Sequence, residues 1–198
     1  WSAPESVISD ANYDSEEGKI NFYASGIEGN ALIAAKDADG TILWSWHIWT
    51  TDQPKDQHYV NDSGEFDVLD RNLGATRADH GVGDEWKESC GIDYNWGRKD
   101  PFVVRMHTYG SISSIEESII SPTVRPSSWN WPDSKLLWSE NQKTIYDPCP
   151  IGYRVAPNVI WNGFSVSKVN GTFGDGWYFQ CNETEYAWYP NRSNNTPY

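Results

Sequence analysis

Little sulfur, little positive charge and no long apolar run are found in this sequence, and each scarcity removes a class of protein. Only one methionine and three cysteines occur in 198 residues. Cys90, Cys149 and Cys181 are odd in number and show no Cys-x-x-Cys or histidine-rich spacing, so zinc is not indicated and at most one internal disulfide can form. Fifteen lysines and arginines stand against 28 acids, a formal net charge of −13. That balance argues against nucleic acid or an anionic membrane surface as a partner. The longest all-apolar stretch, Ala31 to Ala35, is far too short to span a bilayer. The chain opens on Trp1 with no basic or apolar leader and reads as a mature or excised piece.

What is abundant is aromatic side chain: 12 Trp, 11 Tyr and 6 Phe, or 15% of the residues. Such usage points to an extracellular, β-rich binding or adhesive protein rather than a helical cytosolic enzyme. A chain of this length buries roughly 70% of its extended surface, so a core forms without metal or disulfide staples. Five Asn-x-Ser/Thr sequons begin at Asn61, Asn170, Asn182, Asn191 and Asn194; they would be glycan sites in a eukaryotic secreted protein and would carry no meaning in an asparagine-rich bacterial surface protein, the second being favoured.

Residues 1–28 are acidic and serine-rich, with short apolar patches at Val7-Ile8 and Ile20 to Tyr23, and read as a linker or the end of a preceding β domain. From residue 29 to 198 a second domain is expected. It begins with a hairpin in which Asp39-Gly40 joins Ala31–Ala35 to Ile42–Trp49, the pair suggesting a two-residue turn with positive φ at both central positions. Alternation puts Ile42, Trp44, Trp46 and Ile48 on one face, expected to be core, and Leu43, Ser45, His47 and Trp49 on the other. Phe66 to Leu73 is expected to be a strand closed by Gly74, and Asp93 to Phe102 a compact turn-rich segment. A short helix fits either at residues 84–90 or at 114–120. Residues 121–157 carry six prolines without sustained periodicity and read as a long ordered loop region. Residues 166–173 and 177–181 suggest a further hairpin, and 182–198 an exposed tail.

Three segments, in order, carry a resemblance. They are Gly29 to Ala34 running into Ile42–Trp49; Leu69-Asp70-Arg71-Asn72-Leu73-Gly74-Ala75 with Tyr94-Asn95-Trp96-Gly97-Arg98-Lys99-Asp100-Pro101-Phe102; and Ile145 to Val155, containing Asp147-Pro148-Cys149-Pro150. Together they resemble the fimbrillin-associated surface proteins of Bacteroidetes that carry the Fibrobacter succinogenes major paralogous domain. The resemblance implies a C-type-lectin-like α+β fold, β-rich with long ordered loops and few short helices, displayed as a lipoprotein or secreted protein on the extracellular or outer-membrane surface. It covers roughly residues 29–190 and implies no particular ligand. The sequence departs from the family pattern at Ala156, where proline is usual, and it ends at Tyr198 without the family's closing strands and second cysteine; a domain lacking its last strands is therefore expected.

No catalytic constellation stands out. His47, His58, His80 and His107 are scattered, without a zinc-protease motif, a nucleophile elbow or a phosphate loop. Acid pairs such as Asp67 with Asp70, or Asp84 with Glu85, could serve glycoside hydrolysis but are more simply solvated loops. Asp37-Ala38-Asp39-Gly40 lacks the spacing of a calcium hand, and no cofactor is expected, although Asp79, Asp84 and Glu85 could hold a loop calcium. Trp44, Trp46 and Trp96 are assigned to core. Ligand contact falls to Trp129, Trp131, Trp177, Tyr186, Trp188 and Tyr189, with Trp188 and Tyr189 the foremost exposed pair, because sugar rings and protein partners alike dock on aromatic faces. Arg71, Arg98 and Lys99 are expected to serve structure, with buried Asp–Arg pairs to Asp70 or Asp100 tying loops together through bidentate guanidinium bonds. The function so indicated is a non-enzymatic adhesive or ligand-binding module, with glycans or a host or bacterial surface protein as partner. A structural subunit of a surface polymer and a glycan-acting hydrolase are the alternatives.

Overall fold

The computed structural model describes residues 7–79, 85–102, 108–126, 137–161, 176–180 and 186–190. They are β-rich. Ten strands pair two by two, and among the described residues no helix exceeds the six residues of Ile115–Ile120. The chain divides into two compact units, one of Trp1–Thr50 with Ile92–Val155 and one of Thr51–Gly91 with Ala156–Tyr198.

In the first unit, β1 (Ile8–Asp14) and β2 (Lys19–Ala24) form an antiparallel pair, bulged between Ser9 and Asn12. Strands β3 (Gly29–Lys36) and β4 (Ile42–Thr50) form the expected hairpin. Its turn differs from the expectation. Only Gly40 takes positive φ, at 85°; the Gly40 N–H donates to the Asp37 carbonyl and the Asp37 N–H to Thr41. The Asp37 carboxylate also accepts the N–H groups of Asp39 and Thr41. The loop is thus three residues with glycine at the left-handed position, because an aspartate before the turn satisfies the two free amides itself.

The core sits where the two hairpins meet: Val7, Ile8 and Ala31 are buried, with Ile33 and Ile48 packed on them. The assignment of a single core face to β4 is corrected. Ser45, on the opposite face, is its most buried residue at 2% exposure, whereas Trp46 is 40% exposed. Both sides of a strand in a two-stranded sheet can be covered, so alternation does not name one inner face. Trp96, also assigned to core, is 41% exposed.

Strands β7 (Thr108–Gly110) and β8 (Val124–Pro126) pair in parallel around helix Ile115–Ile120, neither strand being evident from its three residues of sequence. The helix packs against β4. It starts at Ser114, whose hydroxyl accepts the Glu117 N–H, while Glu117 reaches back to the N–H and hydroxyl of Ser113.

In the second unit, β5 (Asp56–Asn61) and β6 (Gly64–Leu69) make a hairpin across Asp62-Ser63. The strand expected to reach Leu73 ends at Leu69. After Asp70 N–H donates to Lys55, Asp70 and Arg71 leave the ladder to form a buried clasp. A one-turn helix, Trp86–Ser89, lies against β10 (Tyr186–Pro190), and a 3-10 turn spans Asn158–Trp161. Both places that suggested a helix therefore hold one. Strand β9 (Gly176–Gln180) pairs with β10 in antiparallel register. Its partner is therefore drawn from the segment read as an exposed tail, while residues 166–173, expected to pair with it, lie outside the described residues.

Candidate functional site

The buried charges of the first unit are structural pins. Lys99 Nζ lies 2.8 Å from both carboxylate oxygens of Asp100 and donates to the Ser45 carbonyl (2.9 Å) and hydroxyl (2.5 Å). The Ser45 hydroxyl donates in turn to Asp100 at 2.7 Å, closing a triangle. Lys99 also stands 4.5 Å above the Trp44 ring. Burial pushes the Asp100 carboxyl up and the Lys99 ammonium down, and their attraction opposes both shifts. Arg98 turns the other way. One of its terminal nitrogens donates to the carbonyls of Ser121 and Pro122, and the guanidinium covers the Phe102 ring at 4.5 Å. Its Nε and other terminal nitrogen are buried without a partner among the described residues, and burial lowers its pKa to about 10. The partner expected for Asp100 was an arginine; the structure supplies lysine, because the fork of Arg98 is drawn to two adjacent carbonyls.

In the same unit runs a second, half-buried chain. His47 Nε2 lies 2.8 Å from Asn30 Oδ1, and the Tyr94 hydroxyl lies 2.8 Å from His47 Nδ1. The amide oxygen requires a donor, so Nε2 carries the proton and Nδ1 accepts from tyrosine. Both ring nitrogens are satisfied in the neutral form, and burial lowers the His47 pKa to about 4. Burial likewise raises Tyr94 well above its ordinary value. Neither group is poised for proton transfer near neutral pH.

The segment Asp93 to Phe102 is closed at its base by reciprocal hydrogen bonds between those two residues, 3.2 and 2.7 Å. At its tip the Arg98 N–H donates to Asn95 at 2.9 Å, and Gly97 has φ 83°. That is type II turn geometry with Trp96 at the corner. The exposed Trp96 indole rests on Trp138 at 5.2 Å between centroids, and Trp138 meets the Tyr94 ring edge-on at 6.5 Å. Trp138 itself is only 8% exposed, and its Nε1 donates to Tyr146.

The loop bearing Trp138 is tied down by Asp147. This carboxylate accepts from the N–H groups of Cys149 and Val155, each at 2.9 Å, and from Lys143 Nζ at 2.9 Å. Thr144 donates to Leu137, and Arg154 to the Glu140 carbonyl. The rigidity expected of Asp-Pro-Cys-Pro thus comes from the aspartate as well as from the prolines. Burial, with Asp147 beside it, pushes the Cys149 thiol far up.

In the second unit, Arg71 binds Asp70 through Nε (2.8 Å) and a terminal nitrogen (3.2 Å), and Asp52 at 2.5 Å. The predicted Asp70 pair is present. His58 pairs with Asp67 at 2.9 Å, so the acids Asp67 and Asp70 are both engaged. Asp79, Glu85 and Glu88 converge on Arg77 at 2.8, 3.1 and 3.2 Å; a loop cation there would have to displace a guanidinium. Asp84, His80 and His107 lie outside the described residues. Among the described residues no three His, Cys, Asp or Glu side chains gather where a metal could sit, and no helix is long and apolar enough to cross a membrane. Asn61 Nδ2 donates to the carbonyls of Val159 and Ile160, each at 3.0 Å, so this sequon asparagine is held by the fold.

Of the predicted contact residues, Trp129 and Trp131 lie outside the described residues. Trp177 sits on β9 and Tyr186, Trp188 and Tyr189 on β10, with Tyr189 opposite Trp177, Trp188 opposite Tyr178 and Tyr186 opposite Gln180. Sequence reasoning missed Trp96 as a surface residue. The available signal was Asn95-Trp96-Gly97, a residue before a turn glycine, which tends to be displayed rather than buried. Comparison with protein-family models, with curated proteins and with solved structures finds no match to this chain.

Proposed function

We propose that this chain is a non-enzymatic adhesive or ligand-binding module of an extracellular or outer-membrane surface, of the fimbrillin-associated, C-type-lectin-like kind that its motifs resemble. The observation that supports this reading is a division of labour. Buried charges at Arg98, Lys99, Asp100 and Asp147 hold loops in place, and aromatic surface is displayed above them at Trp96. Pre-ordered loops lose little entropy on binding, which suits capture of a ligand. Among the described residues of the first unit, His47 is held neutral between two partners and Asp100 faces Lys99. Glycans or a surface protein are the partners this chemistry favours, since both dock on tryptophan and tyrosine.

A second reading, a structural subunit of a surface polymer, draws on the paired strands. Two-stranded sheets such as β1–β2 leave strand edges to which another chain could add. Purified protein applied to a glycan array and to bacterial and host cell surfaces, with its size measured in parallel, separates the two. Saturable binding by a monomer is expected. Concentration-dependent polymers without saturable binding would overturn the adhesive reading in favour of the structural one.

A further inference from the structure

We infer that Trp96, backed by Trp138, is a stacking subsite for a neutral pyranose ring, with the polar loop at residues 139–142 supplying hydrogen bonds to its hydroxyls; this rests on the ligand-binding reading above. Three features converge. The indole of Trp96 is 41% exposed although its neighbours Gly97 to Asp100 are all buried, so it is held out by a fixed turn rather than left over from poor packing. Its inner side is occupied by Trp138, itself fixed by the Nε1 bond to Tyr146 and by the edge contact with Tyr94. An aromatic surface held this way offers one face to a flat partner without rearranging.

The chain that follows the backing tryptophan is polar. Directly after Trp138 come Ser139, Glu140, Asn141 and Gln142, of which the last three are exposed. The backbone there is ordered, with the Asn141 N–H donating to the Ser139 hydroxyl and the Glu140 carbonyl accepting from Arg154. A single aromatic face, with amide and carboxylate side chains next in the chain to its backing residue, matches a sugar ring, which presents axial C–H groups to the indole and equatorial hydroxyls to amides. A protein partner would call for a wider apolar anchor set than one indole. The net charge of −13 disfavours uronic-acid or sulfated glycans, leaving neutral ones.

The test titrates the whole chain with cellohexaose, maltohexaose, mannohexaose and chitohexaose, following tryptophan fluorescence and calorimetric heat, with an oligogalacturonate as the anionic comparator. At least one neutral hexamer is expected to bind, and the oligogalacturonate is not. Trp96→Ala should weaken that binding roughly tenfold or more, while Trp96→Tyr, which keeps a flat ring, should retain most of it. Tyr23→Ala, an exposed aromatic change on β2, should leave it unaltered. Circular dichroism of each variant shows that it is folded. Binding that survives Trp96→Ala but is lost in Trp188→Ala overturns this subsite and leaves the adhesive reading standing. No binding of any neutral hexamer by the wild-type chain overturns the subsite, and adhesion to cells or to other array glycans then decides the broader reading separately.

Discussion

Lys99 and Asp100, neighbours in sequence, form an ion pair of 2.8 Å with both side chains almost sealed from solvent, and Ser45 of β4 bonds to each of them. Two charges withdrawn from water are costly unless each is matched, and here the matching includes the Ser45 hydroxyl and carbonyl. Losing one partner strands the other. Asp100→Asn or Lys99→Met should each lower stability by about 3–5 kcal/mol. The double variant Lys99→Met with Asp100→Leu should cost less than either single change, as measured by urea unfolding.

His47 makes stability depend on pH. Its folded pKa of about 4 lies below the ordinary 6.5, so between those values the unfolded chain takes up a proton that the folded chain refuses. Stability therefore falls as pH drops through that window, by about 3 kcal/mol for this group once both states are compared at its lower end. Chemical denaturation at pH 7, 5.5 and 4 should show a steeper loss for the wild-type chain than for His47→Gln.

Asp147 accepts three hydrogen bonds with its side chain wholly buried. Asp147→Ala leaves two backbone N–H groups without their acceptor and removes one acceptor of Lys143, whose ammonium keeps the Cys149 carbonyl, and should destabilise by about 3 kcal/mol or more. Asp147→Asn keeps one acceptor oxygen and should fall between, in thermal unfolding of the two variants side by side.

The Cys149 thiol is disfavoured as thiolate by burial and by the adjacent carboxylate. Thiolate is the reactive form. Mass-resolved alkylation at pH 8 should leave Cys149 unmodified in the native protein and modify it fully once the chain is unfolded; rapid native labelling would show that the loop opens.

The elements legible in the sequence were those with a strong local signal: the β3–β4 hairpin around Gly40, the turn-rich segment from Asp93 to Phe102, and the short helices. The parallel pair at Thr108 and Val124 was not, since three residues carry no period and their pairing is set by tertiary contact. Burial was the hardest quantity to read. Trp46 and Trp96 look like core by residue type, yet Ser45, Arg98, Lys99 and Asp100 are deeper. A buried ion pair is favoured only by geometry that brings Ser45 to Lys99 across 54 residues of chain. Trp96 was misread for the same reason: it stands before glycine in a turn whose following residues, Arg98 to Asp100, are buried charges, and composition does not reveal that.

The central claim is that the loops at 93–102 and 137–155 are as fixed as the hairpin beside them. Native-state amide hydrogen exchange tests it residue by residue. The N–H groups of Arg98, Phe102, Cys149 and Val155, each hydrogen-bonded in the fold, should exchange on the same slow scale as those of β3 and β4. Exchange of these four within seconds, while β3 and β4 stay protected, would contradict the account.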